Sequence, residues 1–197
     1  LQPFWNRATQ GTYAPGSTFK PVTAIAALET GIITPKSTIL TKGVYHYGDW
    51  AYKCWLYNQN GGTHGRIDVT EAIKVSCNYF FYDIGRRTGI STIARYASAF
   101  GLGEPTGIEI PEKIGVMTTP DYVNSLDGHY WTDGQTLTAA IGQSYSLFTP
   151  LQLANYVATL AGGGTRYNAH LLKEVRTYDL SLIHISEPMR PLYISYA

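Results

Sequence analysis

The chain has 197 residues, 44% of them apolar, 13% aromatic and only 15% charged. That is enough for one domain with a sizeable core, and too aromatic and weakly charged for disorder. A formal net charge of +1 with no basic run offers nothing to a polyanion, so nucleic acid is not an expected partner.

No apolar stretch reaches the roughly 18 residues that a membrane span needs. The start, "LQPFWNRATQ", has neither Met nor a basic leader, so the expectation is the middle of a longer protein. In chain order, the first expected helix is "STFKPVTAIAALETG". Phe19, Val22, Ile25, Ala26 and Leu28 recur there at helical spacing, with Gly31 as the residue just past its end. With Ser17 as N-cap, Pro21 would fall at the fourth helical position, where it cannot donate to the cap carbonyl, so an irregular first turn is expected. From about Gly31 to Gly65 the pattern is irregular and aromatic, with strand-like pieces such as "STILTKGVYHY" and a loop at "NQNGGTHG".

A new helix is expected at "DVTEAIKV", with Asp68 as N-cap and Glu71 as its capping-box partner. It breaks at "SCN" and resumes through "YFFYDIGRRTG", ending near Gly85 or Gly89. "STIARYASAFG" reads as a further helix ending at Gly101, and "LGEPTGIEIPEKIGVMTTPD" as an extended surface excursion. The last clear helix follows "FTPLQLANYVATLAGGG". Thr149 fits its N-cap, Pro150 its first position and Gln152 its capping box, with Leu151, Ala154, Val157 and Leu160 or Ala161 as the expected buried face.

Two short patterns carry possible chemistry. Ser17 and Lys20 lie three residues apart, about 5–6 Å between Cβ atoms on a helix. A serine hydroxyl is a poor nucleophile until a base takes its proton, and a lysine serves as that base once desolvation lowers its pKa. A helix start also presents N–H groups to a developing oxyanion. The competing reading is structural, since serine before a helix is an ordinary cap. The second pattern, Ser76-Cys77-Asn78, puts a hydroxyl and an amide at a helix break, where both can face a cleft. Cys54 and Cys77 have neither metal nor redox spacing, although a disulfide is open to them outside the cytoplasm. The five histidines show no i,i+4 pair, so no metal site is expected.

Ser-x-x-Lys followed by Ser-x-Asn is the active-site pattern of the serine penicillin-recognising enzymes. "NRATQGTYAPGSTFKPVTAIAALETG" resembles the active-site segment of class B penicillin-binding proteins, the elongation-type peptidoglycan transpeptidases. "CWLYNQNGGTHGRIDVTEAIKVSCNYFFYDIGRRTG", "FGLGEPTGIEIPE" and "AIGQSYSLFTPLQLANYVATLAGGGTRYNAHLLKEV" resemble further stretches of the family, so the likeness runs from Asn6 to about Tyr178. It implies that Ser17 is the acylated nucleophile and Lys20 its general base. Ser76 would relay a proton to the departing D-alanine, and Asn78 would bind the substrate amide and orient Lys20. The implied partners are peptidoglycan stem peptides, β-lactam antibiotics and other cell-wall synthesis proteins, with no cofactor. The implied place is the extracytoplasmic face of the cell membrane, with the anchor outside this fragment. A serine β-lactamase, a non-catalytic β-lactam sensor domain and a helical binding module, in which both motifs are caps, are the alternatives.

The resemblance implies an α+β penicillin-binding transpeptidase fold, serine β-lactamase-like. It is expected to be incomplete, holding mainly the helical part with a truncated antiparallel sheet. The family's third motif, Lys-Thr/Ser-Gly, follows none of the seven lysines, so this fragment is expected to be inactive. Residues 1–179 are expected to be partial transpeptidase domain. Residues 180–197 are expected to be a non-native tail, because "LSLIHISEPMR" resembles a translated sequencing adapter with one mismatch at Met189.

Overall fold

The computed structural model describes residues 4–179, together with the backbone of two short strands at 182–185 and 192–193. The chain runs α1 (Arg7–Gln10), a 3-10 turn (Gly16–Phe19), α2 (Lys20–Glu29), β1 (Ile39–Thr41), β2 (Val44–Tyr47), β3 (Trp50–Lys53) and α3 (Trp55–Asn60). It continues through β4 (Gly65–Ile67), α4 (Val69–Lys74), α5 (Asn78–Thr88), α6 (Ile90–Ala99), α7 (Pro120–Asn124), α8 (Gly134–Ala139) and α9 (Pro150–Ala161). Strands β5 (Thr165–Arg166), β6 (Glu174–Arg176), β7 (Leu182–Ile185) and β8 (Leu192–Tyr193) follow. These elements form two compact units.

The first unit comprises Ala14–Ala97 and Met117–Ser146. Its centre is α2, whose small residues Ala24, Ala26 and Ala27 are fully buried and let α5 approach closely. The predicted apolar positions Ile25 and Leu28 are only half-buried, because the helix is enclosed on nearly all sides rather than on one stripe. From α5, Phe80, Phe81 and Ile84 fill the core beside Ile33, Ile67 and Leu137. Gly85 is required in mid-helix, since a Cβ there would run into the Ala140 methyl of the segment just after α8.

Gly31, at φ +69°, ends α2 as expected, and Gly89, at φ +80°, ends α5, which passes straight through Gly85. The irregular first turn is also present: Gly16–Phe19 is 3-10, and Pro21 sits in the first turn of α2, where no N–H is required. Ser17 is not its cap, however. The residue at that position is Pro15, and no side chain caps the turn.

Asp68 caps α4, accepting from Glu71 N–H at 2.9 Å. The Glu71 carboxylate reaches Lys74 at 3.3 Å instead of closing a capping box. The stretch expected to be irregular holds two antiparallel pairs. In one, Ile39 faces Ile67 across β1 and β4; the other is the β2–β3 hairpin, turning at Gly48 with φ +57°.

The second unit comprises residues 4–13, Ser98–Val116 and 147–179, with strands β7 and β8. Here α9 begins with the predicted capping box, Thr149 and Gln152 each bonding the other's backbone N–H. Its predicted buried face is wrong. Gln152, Tyr156 and Thr159 are buried, whereas Ala154 and Ala161 are exposed and Val157 is 54% exposed. The capping box fixes the rotation of the helix: it turns Gln152 inward, where its amide donates to Glu104 O at 2.8 Å, while Tyr156 packs edge-on against Phe100.

The expected surface excursion is partly anchored. The Glu112 carboxylate accepts from Thr106 N–H and hydroxyl, and the buried Arg166 reaches Pro105 O. Strand β5 pairs with β8 and β6 with β7, all antiparallel. The other residues of the expected 180–197 tail lie outside the described residues. Helices with short two-stranded antiparallel pieces make an incomplete α+β domain. No helix among the described residues is long and apolar enough to cross a membrane.

Candidate active site

Lys20 is the organising residue. It opens α2 at the end of the 3-10 turn, and its side chain runs into the core, leaving the residue 2% exposed. Its Nζ donates to three oxygens: Ser76 O at 2.8 Å, Ser76 Oγ at 2.8 Å and Asn78 Oδ1 at 2.6 Å. An ammonium has three N–H donors, so all are matched. The Phe81 ring lies 5.5 Å from Nζ. Burial holds the Lys20 pKa down to about 8, from 10.5, against the opposing pull of the nearby Cys54 and Cys77 sulfurs.

Both acceptor residues are placed by the break between α4 and α5. Ser76 N–H donates to Ile73 O and Cys77 N–H to Ala72 O, which wraps the chain tightly off the end of α4. That wrap puts Ser76 at φ +51°, a left-handed conformation costing on the order of 1 kcal/mol for a residue with a Cβ. In return, the carbonyl and hydroxyl of Ser76 both reach one ammonium, and α5 starts at once with Asn78.

Ser17 is exposed in the middle of the 3-10 turn, one residue into it, and Lys20 N–H donates to Ser17 O. Its hydroxyl is not among the partners of Lys20 Nζ. The turn is held from behind by Gly16 N–H donating to Gly142 O at 2.8 Å. Gly142 has φ +74°, and a Cβ on it would strike the Gly16 carbonyl. Thr23 Oγ1, one turn into α2, donates to Ala140 O at 2.8 Å, fixing the same two segments. The four residues predicted from sequence thus fall on one turn and one helix break, with Lys20 joining them.

Two features of the site were not foreseen. Gly142 had no assigned part; its only sequence signal is a glycine closing the run "TAAIG". Cys54, His64 and Cys77 also come together, their ligand atoms all within 4.8 Å of one another, the one group among the described residues able to hold a metal ion. Cys54 Sγ lies 4.0 Å from Cys77 Sγ and 3.8 Å from His64 Nδ1. Two thiols and an imidazole suit Zn²⁺. Spacing rules miss this set because the residue capping α3, the loop before β4 and the helix break each supply one member. The shared hydrogen bond lowers the Cys54 pKa, and that bond together with burial raises that of Cys77.

The transpeptidase domain of penicillin-binding proteins matches residues 2–191. Peptidoglycan D,D-transpeptidase MrdA of Salmonella typhimurium is 36% identical over 178 residues, covering 86% of this chain and 27% of that protein. The crystal structure of Pseudomonas aeruginosa PBP2 in complex with WCK 5153 superposes with a TM-score of 0.82 at 33% identity, over 96% of this chain and 42% of that one. The complex between PBP2 and MreC from Helicobacter pylori gives 0.78 at 30% identity, over 85% and 31%. The chain therefore spans about a quarter of the length of the curated relatives it matches.

Proposed function

This chain belongs to the penicillin-binding protein transpeptidase family, and from that premise we propose that the protein containing it cross-links peptidoglycan through an acyl-serine at Ser17. The observation that carries this reading is the buried Lys20, bonded to both Ser76 and Asn78 and one turn from an exposed Ser17 hydroxyl that caps nothing.

Ser17 Oγ attacks the carbonyl carbon of the D-Ala–D-Ala bond while neutral Lys20 Nζ takes its proton. A lysine with pKa about 8 is neutral in roughly one molecule in ten at pH 7. Becoming neutral costs Nζ one N–H, and the lone pair that replaces it is what receives the serine proton. The tetrahedral oxyanion then collapses, the C–N bond breaks, and D-alanine leaves with a proton passed from Lys20 through Ser76 Oγ, 2.8 Å away. An amine of a neighbouring stem attacks the Ser17 ester. Its proton returns by Lys20, and Ser17 Oγ is released reprotonated. Asn78 holds Lys20 in line and takes the substrate amide. A β-lactam enters the first step in place of the stem peptide and stays on Ser17.

The longer protein supplies a Lys-Thr/Ser-Gly strand and the second oxyanion N–H. Loss of one such donor slows acyl transfer on the order of 10²–10³-fold, so the 197-residue chain alone is expected to be nearly inactive. The full protein acts at the extracytoplasmic membrane face with other cell-wall synthesis proteins, a reading supported by a similar chain solved within a peptidoglycan synthase complex. Residues 180–197 are a non-native tail in this reading. Resequencing of the source locus should give a Lys-Thr/Ser-Gly continuation, and recovery of the same tail on genomic DNA would refute that.

The activity test gives the full-length protein D-Ala–D-Ala-terminated strands and counts D-alanine released against cross-linked muropeptides. A one-to-one ratio is expected. Rapid penicillin hydrolysis without cross-links would instead establish a β-lactamase.

A further inference from the structure

Away from Ser17, the β2–β3 hairpin and the start of α8 enclose a cleft of about 540 Å³ that the reaction above does not use. Its walls are the rings of Tyr47, Trp50 and Tyr52, and polar groups of Asp49, Asp133 and Gln135 face the same space. Trp50 is 73% exposed, a large apolar ring left open beside carboxylates.

The cleft is built, and is no chance gap between loops. Tyr47 Oη donates to Asp133 Oδ2 at 3.3 Å, tying hairpin to helix start. Thr132 N–H donates to Gln135 Oε1 at 2.9 Å, which orients the Gln135 amide. A Cβ on Gly134 would meet the Tyr52 hydroxyl, so the phenol lies directly over the first turn of α8.

We propose that this cleft binds the uncharged glycan backbone of a peptidoglycan strand, a β-linked N-acetylated pyranose chain. The proposal rests on the transpeptidase reading. Flat rings present an apolar face to the C–H face of a pyranose, and the surrounding carboxylates and amide take its hydroxyl and acetamido groups.

Charge narrows the choice. Asp49 and Asp133 repel an anion. Asp133 already accepts from Tyr47 Oη, and the hydroxyls and acetamido N–H groups of a neutral sugar chain supply donors to the remaining carboxylate oxygens.

The test titrates the full-length protein with the peptide-free β-1,4-linked tetramer of N-acetylglucosamine, reading tryptophan fluorescence and heat. Saturable binding is expected. Trp50→Ala should weaken it about tenfold or more with an unchanged melting temperature. Should that variant fold poorly, Asp49→Ala on the exposed hairpin turn should also weaken binding.

Wild-type protein that is acylated by penicillin at Ser17 but ignores the tetramer overturns the cleft and leaves the transpeptidase reading standing. Protein that binds the tetramer but is never acylated supports the cleft and refutes that reading. Tetramer affinity unchanged in both variants, or a lysine-rich peptide that displaces the tetramer from the cleft, overturns the glycan assignment.

Discussion

The most demanding prediction concerns the proton on Lys20. With a pKa of about 8, roughly 9% of the protein holds neutral Lys20 at pH 7. An unburied lysine at 10.5 would hold about 0.03%, so burial multiplies the competent base about 300-fold. The assay is the second-order rate of acylation of the full-length protein by a fluorescent penicillin between pH 6 and 10. The rate should rise tenfold per pH unit at first, bend near pH 8 and then level. Lys20→Arg keeps the positive charge but has no accessible neutral form, and should lose about 10²–10⁴ in rate across the range. A bend near 10.5, a flat profile, or a Lys20→Arg variant within a few-fold of wild type would refute the reasoning.

Asn78→Ala removes an acceptor of the charged ammonium, so the bend in the same profile should move below pH 8 while the plateau falls; a bend moved upward would contradict the hydrogen-bond geometry. Because folding lowers the Lys20 pKa, the unfolded chain binds more protons between about pH 8 and 10.5, and this residue's contribution to stability should rise across that window; comparing wild type with Lys20→Met by urea denaturation isolates it. Gly142→Ala drives a methyl into the Gly16 carbonyl at a positive φ and should cost roughly 2 kcal/mol or more, with slower acylation; wild-type behaviour in both assays would mean that Gly142 does not set the Ser17 turn. Thr149→Ala should cost about 1 kcal/mol in the same denaturation and leave the acylation rate within twofold, separating the α9 cap from the site.

Where a local signal and the tertiary structure agree, the sequence was legible. The Thr149–Gln152 box, the Asp68 cap, Gly31 and the 3-10 turn before Pro21 all follow from hydrogen bonds made within a few residues. The site motifs were legible for a related reason: Ser17 and Lys20 are neighbours on one turn, and Ser76 and Asn78 flank one break.

What failed depended on distant partners. The apolar stripe of α9 promised a buried face, but its capping box and Tyr156 set the helix the other way round. The hairpin at Gly48 and the short helices α3, α7 and α8 hid in aromatic and polar stretches whose periodicity is too brief to detect. Gly142 and the Cys54–His64–Cys77 group exist only because separate segments meet, and no residue spacing encodes that meeting.

The central claim is that Ser17 is the residue acylated. Full-length protein incubated with penicillin, digested and analysed by mass spectrometry should carry one adduct on the peptide containing Ser17, and Ser17→Ala should carry none while keeping its melting temperature. An adduct on any other residue, or label that survives Ser17→Ala, would contradict it.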